Sequence, residues 1–481
     1  MQLPLDATCC LADVNNLLCD GEQGHRNQDG SIISLHNWSS AVDTFRQMLA
    51  SGDMAFLSEL RLVSAAQRRT FAACFLGWTL DAFDFFLLTV CLKAIAADFH
   101  TGIKQITEAI FWTLVMRPVG ALLFGMMAER FGRRPTLMLN IVCFSAFELA
   151  SAFAPTLQSF LVCRALFGIA MGGEWGVGAA LALESLPATG RGFFSGVLQE
   201  GYVLGNLMAA ALYGTVFPHL HGTGMLTGWR VMFMIGALPA LLAFYMQFKV
   251  EESPTWKAAE MKRREEGGAR KQIPFGAFLT YLPTFLFLVL LMTAFNTFSH
   301  GTQDLYPTLL EKDHGLTPGK VGLVVVISNL GAMAGGICCG MLSERLGRRK
   351  TIVLAALAAI PMIPLWAWSH TIPLLALGGF LMQFAVQGAY GIVPAHLNEL
   401  SPGSVRAVFP GFAYQLGNLC SSRNGVFQAQ LASHFSGGVL NMVMSWSVVV
   451  GACAVALVTG LGREAKGEVW EAEPEIVREV K

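Results

Sequence analysis

Four polar residues share one face of an otherwise apolar segment in the second half of the chain. Asn296, His300 and Gln303 are spaced as i, i+4 and i+7, and Asp304 lies one step further round a helix. Histidine titrates near neutral pH, and a carboxylate four residues later can hold its proton. A lone histidine is often only a packing residue, so this interpretation depends on the acid beside it. The stripe predicts a proton relay with hydrogen-bonding groups for a substrate, at a depth that also suits a gate.

Two carboxylates interrupt the first apolar segment. Asp81 lies roughly 18 Å along a helix that starts near residue 70, and Asp84 follows on the next turn of a similar face. A carboxylate in a medium of low dielectric constant has a higher proton affinity than one in water. Both residues are therefore candidates for proton coupling. The alternative is a salt bridge to a neighbouring helix.

Two arginines occur equally deep in apolar segments. Arg117 is central in the second segment and Arg423 is central in the eleventh. A guanidinium stays protonated and offers a planar fork of donors that matches a carboxylate, so we expect an anionic substrate. The alternative is a structural ion pair, for example with Asp81 or Glu174. Further candidates to line a cavity are Glu174, Gln199, Glu200, Tyr202 and Gln387.

The apolar segments that must position these side chains dominate the composition. Hydrophobic residues make up 54% of the chain and charged residues only 14%, whereas soluble domains carry about 25% charge. Segments of about 20 apolar residues are long enough to cross a bilayer. They fall near 70–91, 106–128, 135–154, 157–182, 193–217, 229–248, 278–305, 320–342, 351–368, 372–396, 406–432 and 439–461. We predict an all-α membrane protein with twelve transmembrane helices.

A charged loop occurs twice, 215 residues apart. Gly125-Met-Met-Ala-Glu-Arg-Phe-Gly-Arg-Arg134 recurs as Gly340-Met-Leu-Ser-Glu-Arg-Leu-Gly-Arg-Arg349. At the same offset Glu184 and Arg191 recur as Glu399 and Arg406, and Asp81 is replaced by Asn296. Two homologous halves in a membrane protein are typical of an alternating-access transporter. The predicted regions are a tail 1–69, a six-helix half 70–248, a linker 249–277, a second half 278–461 and a tail 462–481.

The distribution of lysine and arginine predicts the orientation. Cations follow the second and eighth segments and fill the central linker, whereas the opposite loops 98–105 and 311–319 carry few. The positive-inside rule then places both termini and both charged loops in the cytoplasm. The first 69 residues lack the pattern of a secretory signal. We expect a plasma membrane protein, or a bacterial inner-membrane protein, surrounded by lipid.

Signals for other kinds of site are weak. The eleven cysteines lack metal-ligand or redox spacing, and His219 with His221 has no further ligand in view. No phosphate loop, serine elbow or basic array interleaved with aromatic residues occurs. We therefore predict no cofactor, no metal, no enzymatic activity and no nucleic-acid partner.

Four motifs resemble those of a known transporter family. The charged loops resemble the loop motif of the major facilitator superfamily, with Glu129 and Glu344 in place of the usual Asp. Trp78-Thr-Leu-Asp-Ala-Phe-Asp-Phe85 and the segment Arg164–Gly176 resemble the sialate:proton symporter group within it. Asn296-Thr-Phe-Ser-His-Gly-Thr-Gln-Asp-Leu-Tyr-Pro-Thr308 is similar to the signature of lactate and pyruvate permeases. The resemblance covers residues 70–460.

This resemblance implies a major facilitator fold and a monomeric symporter of small monocarboxylates and protons. Asn296, His300 and Asp304 would act on substrate and proton. A second set would latch the charged ends of the helices and would not bind substrate: Gly125, Glu129, Arg130, Arg134, Glu184, Arg191, Gly340, Glu344, Arg345, Arg349, Glu399 and Arg406. The alternatives are a proton-coupled sialic acid transporter, which shares the first- and fourth-helix motifs, and a non-transporting carboxylate sensor on the same fold.

Overall fold

A computed structural model describes residues 63–220, 222, 226–265, 280–434, 440–467 and 470. All of them belong to the unit Ser58–Lys481. Most of the predicted tail 1–69, residues 266–277 of the linker, residues 471–481 and His221 lie outside the described residues.

The regular elements of the first half are helices. The first begins at a capping box in which Ser64 and Gln67 each accept a hydrogen bond from the backbone of the other. The helices of the first half are α1 Ala65–Asp98, α2 Ile103–Phe131, α3 Arg133–Ala152, α4 Leu157–Glu184, α5 Arg191–Gln199, α6 Gly201–Thr215, α7 Gly228–Gly236 and α8 Ala240–Lys249, followed by the linker helix α9 Pro254–Glu265. Two 3₁₀ turns lie at Ala188–Gly190 and Phe217–His219.

The second half repeats this architecture. Its helices are α10 Leu282–Gln303, α11 Tyr306–Lys312, α12 Pro318–Leu346, α13 Arg348–Ala358, α14 Ile363–Ala367, α15 Ile372–Gly391, α16 Val393–Leu400, α17 Phe409–Ser421, α18 Asn424–His434 and α19 Leu440–Leu461, with 3₁₀ turns at Ile360–Met362 and Gly403–Val405. Among the described residues, eight helical segments are long and apolar enough to cross a membrane.

Five of the predicted spans are not single helices. They are interrupted between α5 and α6, α7 and α8, α13 and α14, α15 and α16, and α17 and α18. Pro239 precedes α8, Pro361 lies in the turn before α14, and Pro394 lies in the first turn of α16. Proline lacks the N–H that a continuous helix needs. The first helix also extends beyond its predicted span of 70–91 at both ends.

The two charged loops have the same backbone geometry. Gly132 joins α2 to α3 with φ 109°, and Gly347 joins α12 to α13 with φ 94°. Only glycine adopts such angles without strain. Each tight turn places an arginine, Arg133 or Arg348, at the first position of the following helix. We call the end of the helix bundle that carries these loops the charged face.

Candidate functional site

A cavity of about 450 Å³ lies between the two halves. Its polar lining includes four side chains of the first half and ten of the second. They are Arg117, Gln199, Tyr202, Asn206, Asn296, Ser299, His300, Gln303, Asp304, Asn329, Gln387, Tyr390, Tyr414 and Asn418, with Ser421 and Ser422 beside them.

The second half contributes a hydrogen-bonded wall built on α10. The Tyr390 hydroxyl donates to Asn296 Oδ1 at 2.6 Å. The Gln303 amide donates to Ser299 Oγ at 3.2 Å and to Gln383 Oε1 at 3.0 Å. The groups in these contacts are neutral at neutral pH. The helical spacing therefore places the predicted stripe on the cavity surface, with its amides already oriented by neighbours.

His300 and Asp304 lie at the more open part of this wall. His300 Nδ1 is 3.1 Å from Asp304 Oδ1, and their side chains are 39% and 44% exposed. A histidine paired with a carboxylate is stabilised in its charged form. The pair is thus placed where a proton could pass between the cavity and its surroundings.

The first half contributes a buried cation, Arg117. The side chain lines the cavity yet is only 5% exposed, and its Nε and Nη2 have no hydrogen-bond partner in the described part of the chain. Gly172 of α4 lets that helix approach closely, because a Cβ there would lie 1.9 Å from the Arg117 carbonyl oxygen. The guanidinium therefore lies at the cavity wall with two buried donors that no described residue accepts.

Two carboxylates lie behind Arg117. Asp81 and Glu174 are fully buried, and none of their carboxylate oxygens has a hydrogen-bond partner among the described residues. Both interact electrostatically with Arg117 and with each other. Neither Asp81 nor Glu174 lines the cavity directly. The structure thus brings together three charged side chains from α1, α2 and α4.

Asp84 belongs to a different buried cluster. Its charged neighbours include Glu148 and Arg164, which form an ion pair at 2.5 Å with both side chains fully buried. The Arg164 guanidinium also lies 4.2 Å from the Phe167 ring centroid. Asp84 does not line the cavity. Sequence reasoning did not single out Glu148 as a site residue and used Arg164 only within a motif, although each is a charge inside an apolar segment.

Arg423 does not join the cavity. It lies in the short turn between α17 and α18, and its side chain is exposed. The sequence suggested a continuous eleventh span with Arg423 at its centre. Because the helix is interrupted at this position, the arginine is not held between the halves as Arg117 is.

The charged loops form two equivalent ion-pair networks. Arg133 contacts Glu129 at 3.0 Å and Glu184 at 3.2 Å. Arg348 contacts Glu344 at 3.0 Å and Glu399 at 2.9 Å. Each arginine is buried, begins one helix and pairs with glutamates at the ends of two others. Sequence reasoning did not select Arg133 or Arg348.

The same glutamates join the two halves. A Glu129 carboxylate oxygen accepts a hydrogen bond from the Ala407 N–H at 2.7 Å, and Glu344 accepts one from the Gly192 N–H. Gly125 and Gly340 allow this approach. A Cβ on Gly125 would lie 2.9 Å from the Ala407 carbonyl oxygen, and one on Gly340 would lie 2.5 Å from that of Gly192. The halves are therefore closed against each other at the charged face.

The other predicted latch residues are placed differently. Arg130 and Arg345 are exposed. The Arg349 guanidinium donates to the Gly460 carbonyl oxygen, and the Arg134 backbone N–H donates to Glu252. Arg191 and Arg406 donate to the carbonyl oxygens of Leu183 and Asn398 at 3.4 and 3.2 Å. The buried ion-pair networks are thus centred on Arg133 and Arg348, which are adjacent to several of the predicted residues.

Glutamates from the following segments cap the helices that start after each charged loop. Glu252 accepts from the backbone N–H groups of Arg133 and Arg134, and Glu464 accepts from those of Arg348 and Arg349. A carboxylate at a helix N-terminus interacts favourably with the helix dipole. Burial raises the pKa of Glu252, and these hydrogen bonds oppose that shift.

Contacts between the halves involve helices that start at the charged face. In the first half α5 packs on α12 and α15, and in the second half α17 packs on α2 and α4. Their continuations toward the opposite face pack within their own half, α6 on α1 and α18 on α10 and α19. The cavity is consequently closed at the charged face, and α6 lines it through Tyr202, Val203 and Asn206.

Comparisons with known proteins agree with this architecture. The chain is 29% identical to a carboxylic acid transporter protein homolog of Saccharomyces cerevisiae over 399 residues, 79% of this chain and 64% of that protein. It is 27% identical to a sialic acid transporter of Escherichia coli over 421 residues, 85% of this chain and 97% of that protein. The structure of a proton:xylose symporter of the major facilitator superfamily superposes with a TM-score of 0.69 at 18% identity, covering 85% of this chain and 98% of that one.

These similarities confirm the predicted fold class, an all-α major facilitator fold. The family described as sugar (and other) transporters matches residues 70–274 and 286–462, which is most of the chain. The protein therefore belongs to the sugar (and other) transporter family and is a multi-pass membrane transporter with the major facilitator fold.

Proposed function

We propose that this protein is a proton-coupled symporter of small monocarboxylates, with lactate and pyruvate as its reference substrates. The observation that carries the proposal is Arg117, a buried cation with unpaired donors that faces a wall of neutral amides across the cavity. Arginine offers two parallel donors to a carboxylate, and such charge-assisted hydrogen bonds are stronger than neutral ones. The carboxylate of the substrate would bind Arg117.

The opposite wall would recognise the rest of the substrate. Asn296, held by the Tyr390 hydroxyl, and Gln303, held by Gln383, present fixed polar groups. They suit a hydroxyl or keto oxygen two or three bonds from the carboxylate. Because these amides are already oriented, the substrate would lose little binding energy in ordering them.

Charge balance supports proton coupling. Asp81 and Glu174 together carry one more charge than Arg117 neutralises, and all three are buried. A proton that binds to this cluster removes a carboxylate that competes with the substrate for Arg117. His300 and Asp304 would deliver the proton from the open end of the cavity. Proton and anion would then favour each other's binding, which is sufficient for coupled transport.

The transport cycle would alternate between closure at the two faces. Counting of lysine and arginine assigns the charged face to the cytoplasm of a plasma or bacterial inner membrane. The closed charged face then corresponds to an outward-facing carrier. Binding of substrate and proton would allow the halves to rock. This motion would break the hydrogen bonds from Ala407 to Glu129 and from Gly192 to Glu344. The protein would act as a monomer.

Two of the relatives support a carboxylate substrate but leave its size open. One is a carboxylic acid transporter homolog and another a sialic acid transporter. A cavity of about 450 Å³ exceeds the volume of a three-carbon acid. Sialic acid is therefore the second candidate substrate.

Uptake into proteoliposomes tests the proposal. An inward proton gradient should drive accumulation of labelled L-lactate, and unlabelled sialic acid should not compete. H300A should abolish accumulation, whereas H434A, which changes an exposed histidine, should behave like the wild type. Lactate exchange without a gradient should persist in D81N, because only coupling is removed. Absence of lactate uptake would refute the assignment and identify a sensor if binding remained, and competition by sialic acid would favour the second candidate.

A further inference from the structure

Described residues 463–467, which follow the last helix, contact the charged face. Arg463 donates to the Leu400 carbonyl oxygen at 3.4 Å, and Glu464 caps α13 through the Arg348 and Arg349 N–H groups. Lys466 donates to the carbonyl oxygen of Glu344. These contacts attach the segment to the loop whose Glu344 carboxylate holds Gly192 of the other half. The segment therefore lies against the latch.

Trp470 connects this segment to both halves. Its side chain is only 3% exposed. The Arg191 guanidinium lies 3.4 Å from the indole centroid and the Arg406 guanidinium 4.1 Å from it. Leu183 from the first half and Ala395 from the second pack with the same indole. Each half thus supplies one arginine and one apolar contact to a single side chain.

The chemistry of this arrangement favours a closed charged face. Arg191 and Arg406 are equivalent positions of the two halves, 215 residues apart. Two guanidinium groups repel each other, and an aromatic ring attracts both through its quadrupole. When the halves separate at this face, the indole cannot remain in contact with both arginines. Opening must therefore break at least one cation–π contact and expose apolar surface of Trp470.

We propose that Trp470 is a wedge that stabilises the conformation closed at the charged face, so that the segment after the last helix acts as a brake on the transporter. The wedge adds to the hydrogen bonds made by Glu129 and Glu344 and is independent of which substrate occupies the cavity. Withdrawal of this segment, for instance by a binding partner, would shift the carrier toward the conformation open at the charged face.

Distance measurements between spin labels test the wedge. Pro135 and Lys350 are exposed, occupy equivalent positions and lie on opposite halves of the charged face. P135C and K350C would be labelled in a background with the native cysteines replaced. In this background W470A should raise the ratio of long to short distances about 5- to 30-fold, the range expected for loss of a partly to fully desolvated cation–π contact. W470F, which keeps an aromatic ring, should give a ratio between those of the labelled parent protein and W470A.

The control is W446A, which changes an exposed tryptophan of the last helix. It should leave the distance distribution unchanged, and size-exclusion profiles should show that each variant is folded. An unchanged distribution in folded W470A, or an equal change in W446A, would overturn the wedge. Because the measurement needs no substrate, a failure to transport lactate would leave this result standing.

Discussion

The two halves share the proposed latch but differ in the charge that they bury. Glu129, Arg133, Glu184 and Arg191 recur 215 residues later as Glu344, Arg348, Glu399 and Arg406, with matching ion pairs. Within the bundle the equivalence is lost. The charged residues Asp81, Asp84, Arg117, Glu148, Arg164 and Glu174 correspond to Asn296, Ser299, Ala332, Ile363, Gly379 and Ala389.

This difference indicates that the two halves have different roles. A symmetric latch lets each half hold the other in the same way, which suits a motion in which the halves rock as rigid bodies. Buried charge is costly and is kept where it has a function. Its concentration in the first half places the proposed anion site and the buried end of the proton path there, while the second half offers hydrogen bonds and the more exposed His300–Asp304 pair.

The largest effect, a loss of stability, should come from disrupting the ion-pair networks that both halves share. R133M and R348M each leave a buried glutamate without its partner, and loss of one member of a buried ion pair costs about 3–5 kcal/mol. Both variants should lower the free energy of unfolding in detergent by similar amounts. R130M and R345M are matched controls at exposed positions and should have little effect. A large loss in only one half would contradict the equivalence of the two networks.

Among the buried charges found only in the first half, Arg117 should have the largest effect on lactate uptake. R117Q removes the charged donors from the cavity, and loss of charge-assisted hydrogen bonds of about 1.5–3 kcal/mol should reduce lactate uptake roughly 10- to 100-fold. Initial rates in proteoliposomes measure this. A332S, at the equivalent position of the second half, should leave uptake within about twofold because no charge is lost there. Comparable losses in both variants would argue against a one-sided anion site.

A smaller effect should follow from loosening the neutral wall. Y390F removes the hydroxyl that donates to Asn296. A hydrogen bond of about 1 kcal/mol corresponds to roughly a fivefold change, which should appear as a higher KM for lactate with the maximal rate little altered. Y245F changes an exposed tyrosine and should leave KM unchanged. A loss confined to the maximal rate would instead place Tyr390 in the conformational change.

The smallest effect should come from Arg423, the arginine that the structure leaves outside the cavity. R423Q should keep uptake within about twofold of the wild type, as expected for an exposed substitution. It is the same chemical change as R117Q, so the two variants measured together compare the two positions directly. A large loss in R423Q would require an arrangement in which Arg423 reaches the substrate.

Patterns along the chain determined much of this protein. Apolar segments of membrane length, two halves 215 residues apart and the spacing of Asn296, His300 and Gln303 each follow from local periodicity. Helical geometry puts those three side chains on one face wherever the helix is placed. The fold class and the polar wall were therefore predictable.

Only the tertiary structure decided which charges meet. Arg130, Arg133 and Arg134 are chemically alike in the sequence, and packing around Gly132 buries Arg133 against Glu129 and Glu184. Asp81 and Asp84 are one helical turn apart, yet α4 brings Glu174 to the first while α3 brings Glu148 to the second. Contacts between distant helices have no fixed spacing in sequence, which is why these partners, and Trp470 between Arg191 and Arg406, appear only in the folded chain.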